Sequence, residues 1–198
     1  MKKQKNHIKK YFKEVEKISN LIDKNEITKM VNNILRVKKN RGRVFFLGVG
    51  GSAGNCSHAV NDFRKICEIE CYTPTDNVSE LTARINDDGW DSSFHNWLKI
   101  SGLNNKDAIF IMSVGGGNIK KNVSVNLIHA IKLAKKKRTL ILGIVGRDGG
   151  YTKKVGDNVI LIPNINKNLV TPHSEAFQSV VWHCLVSHPS LQSKKMKW

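Results

Sequence analysis

A glycine-rich turn with the chemistry to bind an anion lies in the first third of the chain. Residues 44–62 read VFFLGVGGSAGNCSHAVND, in which an apolar run stops at Gly48, and Gly50, Gly51 and Ser52 precede a helix-compatible stretch. This is the pattern of a strand, a tight turn and a helix N-terminus. Glycines let the backbone approach a ligand closely, and the free N–H groups and positive dipole end of a helix favour phosphate. We therefore predict that this first glycine turn (residues 48–54) binds an anion.

The pattern recurs about sixty residues later. The apolar run AIFIM (108–112) is followed by SVGGGN, in which Ser113, Gly115, Gly116, Gly117 and Asn118 precede a helix that we expect over about 121–137. The backbone N–H groups of such a loop can bind phosphate without hydroxyl groups. Lys120 or Lys121 would add positive charge, although either residue also fits a solvated helix face. We call residues 113–118 the second glycine loop and predict that it binds phosphate.

Two histidines and two carboxylates complete the set of residues that could do chemistry. His58 and Asp62 are four residues apart and therefore share one helix face. Glu175 and His183 lie in a C-terminal helix expected over about 173–187. Because its neighbours Val181 and Trp182 are apolar, a buried structural role for His183 remains an alternative to a functional one.

An alternation of strands and helices must position these groups. Short apolar runs at 44–47, 69–73, 108–112, 139–145 and 158–162 predict five strands, separated by helical segments. This order predicts an α/β three-layer sandwich with a parallel, flavodoxin-like sheet, whose ligands lie at the carboxyl ends of the strands. The two glycine segments would meet there. An apolar stripe over about 4–38, broken near 23–26, predicts an N-terminal helical arm.

Composition limits the remaining possibilities. At 198 residues with 40% hydrophobic residues, the chain is expected to form one domain over 1–198. No apolar stretch approaches the roughly 20 residues that cross a bilayer, and the N-terminus is charged throughout, so we expect a soluble cytoplasmic protein without a membrane partner. The four cysteines form no CxxC pair, which favours free thiols. The net charge of +17 comes from scattered lysines without aromatic interleaving, which favours solvated faces over nucleic-acid binding.

Taken together, these motifs resemble the sugar isomerase (SIS) domain and, within it, the phosphoheptose isomerases. The resemblance covers a helical arm (1–40) and an α/β core (43–188). Its motifs are the GxGGSA turn, His58, an Asn86–Asp87 pair, the second glycine loop, and a last helix that carries Glu175 and His183. It implies substrate binding by Gly50, Gly51, Ser52, Asn86 and Asp87, and phosphate binding by Ser113, Gly115, Gly116, Gly117 and Asn118.

The chain departs from the resembled family at several of these positions. The family commonly reads STSGNS in its phosphate loop, whereas this chain reads SVGGGN and lacks the later hydroxyls. The family has a glutamate where this chain has Asp62, and a glutamine where it has Glu175. The resemblance implies that Asp62 or Glu175 moves the proton, that His183 protonates oxygen, and that His58, Asp62, Glu175 and His183 could hold zinc.

The resemblance implies an aldose–ketose isomerase that converts sedoheptulose 7-phosphate to D-glycero-D-manno-heptose 7-phosphate through an enediolate, for surface polysaccharides, and that assembles as a homotetramer. Two alternatives stand beside it. One is a non-catalytic SIS module that binds a phosphosugar or a protein partner in regulation or replication initiation, because fold alone does not fix function. The other is a dinucleotide enzyme, because GVGGSAG partly imitates GxGxxG, with Glu68 or Glu70 at the ribose. The second glycine loop would then be unexplained, so we expect no nucleotide cofactor.

Overall fold

The computed structural model describes the backbone of residues 2–194 and the side chains of residues 6–194. Within this part of the chain, eight α-helices and five strands follow one another. The elements are α1 (Lys2–Leu21), α2 (Lys24–Lys39), β1 (Val44–Leu47), α3 (Gly51–Lys65), β2 (Cys71–Tyr72), α4 (Val78–Asp88), α5 (Ser93–Ile100), β3 (Ala108–Ser113), α6 (Val125–Lys137), β4 (Leu140–Val145), α7 (Gly150–Val155), β5 (Asn158–Leu161) and α8 (Val170–Val186), with 3-10 turns at Trp90–Ser92 and Lys167–Leu169.

The five strands form one parallel sheet in the order β2-β1-β3-β4-β5. This is the flavodoxin-like order expected from the sequence, and the prediction is confirmed. The chain leaves β1 toward one edge of the sheet and β3 toward the other. The carboxyl ends of β1 and β3 therefore flank the crevice in which ligands of such sheets bind.

Alternate strand residues fill two separate hydrophobic layers. In β1, Phe46 packs with α2, α3 and α8 on one face, whereas Phe45 and Leu47 pack with α5 and α6 on the other. Phe46 also stacks on Phe110 of β3, with ring centroids 5.0 Å apart. Because successive side chains of a strand point to opposite faces, a fully apolar strand is what a sheet covered on both sides requires. The expected three-layer sandwich is confirmed.

The predicted N-terminal arm is a pair of helices that pack on the α3 and α8 side of the sheet. α1 and α2 meet at Asp23, whose carboxylate caps α2 by accepting the N–H groups of Asn25 (2.8 Å) and Glu26 (3.2 Å). A second contact joins α1 to α8: Glu14 Oε2 lies 2.9 Å from His173 Nε2, and Tyr11 stacks on the same imidazole at 4.7 Å. His173, which could have been a mere helix-start residue, therefore anchors the arm.

Strands β2, β4 and β5 are up to three residues shorter than the sequence predicts, and two helices begin at other residues than expected. α6 begins at Val125 rather than near 121, because Asn118 and Val123 form an antiparallel bridge and Ser124 is left-handed (φ 52°). The short α7 is the helical segment between β4 and β5. α8 begins at Val170, three residues before the expected start.

Two further findings concern the apolar character of the helices and the state of the cysteines. No helix among the described residues is long and apolar enough to cross a bilayer. The four cysteines are free thiols. Burial raises the pKa of Cys67 to about 11 and also raises the pKa of Cys56 and Cys71, so these three thiols are protonated at neutral pH.

Candidate functional site

The candidate site is built on two helices, α3 and α8, that run in the same direction side by side. At their N-terminal ends, the carboxylate of Glu175 lies against Gly51. One turn further along, Asn55 of α3 donates to the carbonyl of Glu175 (3.0 Å) and to Oε1 of Gln178 (3.1 Å), and it accepts from Ser179 (2.9 Å). This polar network fixes the register of the two helices. It was not recognised in the sequence, because nothing in an isolated Asn or Gln indicates its partner.

The same register brings His58, Asp62 and His183 together, and we call these three residues the histidine group. Their ligand-type atoms all lie within 4.8 Å of one another. His58 Nε2 is 3.7 Å from Asp62 Oδ2, and the two imidazole rings are 5.4 Å apart. The side chain of His58 is 58% exposed and that of Asp62 is 14% exposed. The group therefore opens to the surface with its carboxylate on the inner side.

Backbone and aromatic contacts orient the imidazole of His183. Its Nδ1 lies 2.8 Å from the carbonyl oxygen of Ser179, which can only accept a hydrogen bond, so Nδ1 carries the proton and Nε2 is left free. The fully buried Trp182 stacks on His183 at 3.5 Å and meets His58 edge-on at 4.7 Å. Because His183 itself is exposed, the alternative of a buried structural histidine is excluded.

The donor set of the histidine group fits a zinc ion. Two imidazole nitrogens and one carboxylate oxygen are preferred zinc ligands, and three protein ligands leave a position open for water or substrate. Bonds of about 2.0–2.2 Å would place tetrahedral donors roughly 3.4 Å apart, so the present spacing needs only small side-chain movements. The carbonyl contact at Nδ1 of His183 is the kind of outer partner that orients a metal-binding histidine.

Glu175, which the resemblance placed in the zinc set, is not part of the histidine group. A Cβ built on Gly51 would lie 2.5 Å from its Oε2 atom, so the carboxylate covers the N-terminus of α3. His183 is eight residues further along α8, which is about 12 Å along a helix axis. The structure thus separates Glu175 from the other three predicted ligands.

The first glycine turn has the predicted conformation but an unexpected neighbour. Gly50 is left-handed (φ 63°), and α3 begins directly after it. Ser52, a predicted substrate contact, is buried with only 1% of its surface exposed. The helix N-terminus that was predicted to bind an external anion is already faced by the Glu175 carboxylate.

The second glycine loop is fastened to α7 through its carbonyl groups. The carbonyl oxygen of Gly116 accepts the N–H and hydroxyl of Thr152 (2.9 and 2.8 Å), and that of Gly117 accepts the N–H of Tyr151 (2.9 Å). The buried Ser113 hydroxyl accepts the N–H of Gly116 (3.0 Å) and so supports the loop from beneath. These contacts leave the loop rigid with its carbonyl oxygens turned toward α7.

A cleft of about 520 Å³ opens beside this loop, and we call it the cationic cleft. The residues that line it are Gly115, Gly117, Asn118, Lys121, Val123, Arg147, Asp148, Asn164, Lys167, Asn168, Val170 and Thr171. Lys121, Arg147 and Lys167 all contribute to its walls. The sequence did not lead us to predict Arg147 and Lys167 as site residues. Arg147 had a usable signal, because it follows a predicted strand at the same sheet edge as the two glycine segments.

Asn86 and Asp87, the remaining predicted substrate contacts, lie in the last turn of α4. Both are exposed, and Asn86 donates to Asp87 (2.8 Å). α4 has no buried residue among those described, and it contacts α5 and the 3-10 turn at Trp90–Ser92. Among the described residues, no hydrogen bond or ion pair joins Asn86 or Asp87 to either glycine segment or to the histidine group.

The chain is similar to known proteins over most of its length. No family model matches it. The phosphoheptose isomerase of Sulfurimonas denitrificans is 32% identical over 196 residues, covering 90% of this chain and 93% of the relative. Phosphoheptose isomerase 1 of Campylobacter jejuni is 27% identical over 194 residues, covering 94% and 96%.

The fold has a close match among solved structures. The structure of the Neisseria gonorrhoeae phosphoheptose isomerase GmhA superposes with a TM-score of 0.79 at 21% identity, covering 93% of this chain and 96% of that one. Together with the sequence relatives and the arrangement of α3, α8 and the two glycine segments, this similarity leads to one assignment. The chain is a SIS-domain protein that belongs to the phosphoheptose isomerase family.

Proposed function

We propose that this protein is a phosphosugar aldose–ketose isomerase that converts sedoheptulose 7-phosphate to D-glycero-D-manno-heptose 7-phosphate, for surface-polysaccharide precursors. The observation that carries the proposal is the histidine group, in which His58, Asp62 and His183 each offer one ligand-type atom and these atoms lie within 4.8 Å of one another. Membership of the family supports the reaction class, and the name of the relatives, phosphoheptose isomerase, supports a heptose phosphate as the substrate.

The reaction needs a base that moves a proton between adjacent carbons and an acid that moves one between the attached oxygens. We assign the role of the base that moves the proton between the carbons to Asp62. We assign the role of the acid that moves the proton between the oxygens to Nε2 of His183. The pairing of His183 Nδ1 with the Ser179 carbonyl supports this assignment, because it points the free nitrogen away from the helix backbone. Glu175 is the competing base, since its carboxylate lies at the first glycine turn.

The histidine group is also the proposed zinc site, with His58, Asp62 and His183 as ligands. A zinc ion held there would supply a Lewis acid for the carbonyl and hydroxyl oxygens of the sugar. Nε2 of His183 cannot bind a metal and carry a proton at once. Assays of the metal-stripped protein with and without added zinc distinguish these two roles of His183.

The isomerase assignment is tested by incubating the protein with sedoheptulose 7-phosphate and measuring aldose formation. His183→Ala should remove turnover. His95→Ala, a partly exposed histidine of α5 outside the histidine group, is the matched control and should retain turnover. Conversion of other ketose phosphates but not of sedoheptulose 7-phosphate would reassign the substrate while keeping the reaction class.

A homotetramer is proposed as the working assembly. Exposed apolar side chains support it: Val78 and Trp90 flank α4 and are 70% and 38% exposed, while Ile8 and Phe12 of α1 are 57% and 67% exposed. Helix faces of this kind are usually covered by another protein surface. Light scattering at working concentration should give four times the 22.3 kDa chain mass; a monomer with full activity would contradict shared sites.

The non-catalytic alternative draws its support from the replacement of the family's glutamate by Asp62 and of its glutamine by Glu175. Asp62→Glu restores the longer carboxylate. If that variant and the wild-type chain both bind sedoheptulose 7-phosphate without turning it over, with or without zinc, the protein is a phosphosugar-binding module rather than an isomerase.

A further inference from the structure

The cationic cleft contains an excess of positive charge that no ion pair among the described residues neutralises. Lys121, Arg147 and Lys167 come from three separate segments, and none of them forms an ion pair or a side-chain hydrogen bond with residues 6–194. Among the described residues, Asp148 is the only carboxylate that lines the cleft, and its Oδ1 accepts the N–H of Gly150 (3.2 Å). Cations that converge without partners favour an anionic ligand.

The backbone of the second glycine loop adds hydrogen-bond donors to the same cleft. The N–H groups of Gly115 and Gly117 have no partner in the described part of the chain, whereas the carbonyls of Gly116 and Gly117 are bound to α7. Free amides beside unpaired cations are the combination that binds a phosphate group. The loop lacks the later hydroxyls that the resembled family carries, so these donors would have to replace them.

Arg147 is the cation that the fold places most firmly. It directly follows β4 and Gly146, whose N–H donates to the carbonyl of Ser113 (3.2 Å) at the base of the second glycine loop. Its backbone is left-handed (φ 50°), which is uncommon for a non-glycine residue. Its Cδ atom lies 4.0 Å from a Cβ built on Gly115, so the side chain runs along the loop.

We propose that Arg147 and Lys167 bind the phosphate group of the sugar substrate in the cationic cleft, together with the amides of Gly115 and Gly117. The planar guanidinium of Arg147 can donate two parallel hydrogen bonds to a phosphate, while Lys167 acts as a point charge. The inference rests on the proposed function for the identity of the sugar, but not for the recognition of its phosphate. Arg147 is a specificity residue: it selects phosphorylated over unphosphorylated sugars.

The test compares Arg147→Gln with Arg138→Gln. Arg138 is a matched control, because it is also exposed, also left-handed (φ 56°), and lies at the end of α6 outside the cationic cleft. Calorimetric titration with inorganic phosphate, sedoheptulose 7-phosphate and unphosphorylated sedoheptulose measures binding without requiring turnover. Thermal unfolding of both variants checks that each is folded.

Arg147→Gln should weaken binding of both phosphate ligands by about tenfold or more and leave sedoheptulose binding unchanged, because a charge-assisted, two-point contact is lost. In turnover assays it should raise KM and leave kcat within about threefold. Arg147→Lys should restore part of the loss, and Lys167→Gln should produce a smaller loss.

Equal phosphate affinity in wild-type and Arg147→Gln proteins, or equal losses in Arg147→Gln and Arg138→Gln, would overturn the inference. A protein that binds phosphate through Arg147 but isomerises no heptose phosphate would refute the proposed isomerase and leave the phosphate site standing. The two failures are therefore distinguishable.

Discussion

The first glycine turn and the second glycine loop are alike in sequence and opposite in charge. Each follows a buried strand at the same edge of the sheet. The first is faced by the carboxylate of Glu175, and the second lines a cleft with Lys121, Arg147 and Lys167. Glycines prepare a backbone to approach a ligand, but the sign of the ligand is set by side chains from distant segments. The comparison therefore supports our proposals that phosphate binds at the second loop and that proton transfer takes place on the α3 and α8 side.

Removing the carboxylate of the histidine group tests whether proton transfer belongs to that side. Asp62→Asn should lower kcat by about 10²- to 10⁴-fold with little change in KM, because a positioned base is lost while phosphate contacts stay intact. The measurement is steady-state turnover of sedoheptulose 7-phosphate. A rise in KM with unchanged kcat would show that Asp62 binds the substrate and does not transfer the proton. Proton transfer would then not belong to the α3 and α8 side.

Gly116→Ala tests the rigidity of the second glycine loop. Gly116 is left-handed (φ 64°), and an added Cβ would overlap the backbone carbonyl of Gly149, which cannot move aside cheaply. The free energy of unfolding should fall by about 1–3 kcal/mol, and KM should rise. Urea denaturation measures the first effect. An unchanged midpoint would show that the loop is looser than these contacts indicate.

Helix α8 contributes to both regions, because Glu175 faces the first glycine turn and Val170 and Thr171 line the cationic cleft. The contact between Glu14 and His173 holds the start of α8 to the N-terminal arm. The hydrogen bond from His173 holds the pKa of Glu14 below its usual value of 4.5. A carboxyl with a lowered pKa stabilises the fold above its unfolded pKa and loses that contribution as pH falls through the folded one. Glu14→Gln should lower the free energy of unfolding by about 1.5 kcal/mol at pH 7. The difference between variant and wild type should shrink below about pH 4, measured by denaturation at several pH values.

Gly51→Ala is the counterpart of Gly116→Ala at the first glycine turn. Here the added Cβ meets the flexible carboxylate of Glu175, and the backbone of Gly51 is not left-handed. Alanine also favours the helix, so stability should change by less than about 1 kcal/mol. If Gly51→Ala destabilises the protein as much as Gly116→Ala does, the side chain of Glu175 does not move aside as expected.

Glu175→Gln gives the smallest expected effect and identifies the base. It installs the glutamine that the resembled family carries and removes the charge facing α3. If Asp62 is the base, kcat should stay within about threefold of the wild-type value. A loss of kcat as large as that of Asp62→Asn would show that Glu175, rather than Asp62, is the base.

Much of this arrangement follows from local sequence patterns. Alternating apolar runs and helical segments indicate the parallel sheet, and the spacing of His58 and Asp62 fixes their shared helix face. The contacts that required the structure are non-local. Asn55 sets the register of α3 and α8 with partners about 120 residues away, and this register brings His183 to Asp62 while leaving Glu175 at Gly51. The late start of α6 depends on a bridge between Asn118 and Val123 that no helix propensity reveals.

The position of Trp182 gives the histidine group an intrinsic optical reporter. The buried indole touches the imidazoles of both His58 and His183, at 4.7 and 3.5 Å. A metal cation bound by either ring would lie close to the indole π system and interact with it. Because the chain has four tryptophans, the difference in emission between the wild-type protein and a Trp182→Phe variant should report the binding of a metal cation at these histidines in the absence of any sugar.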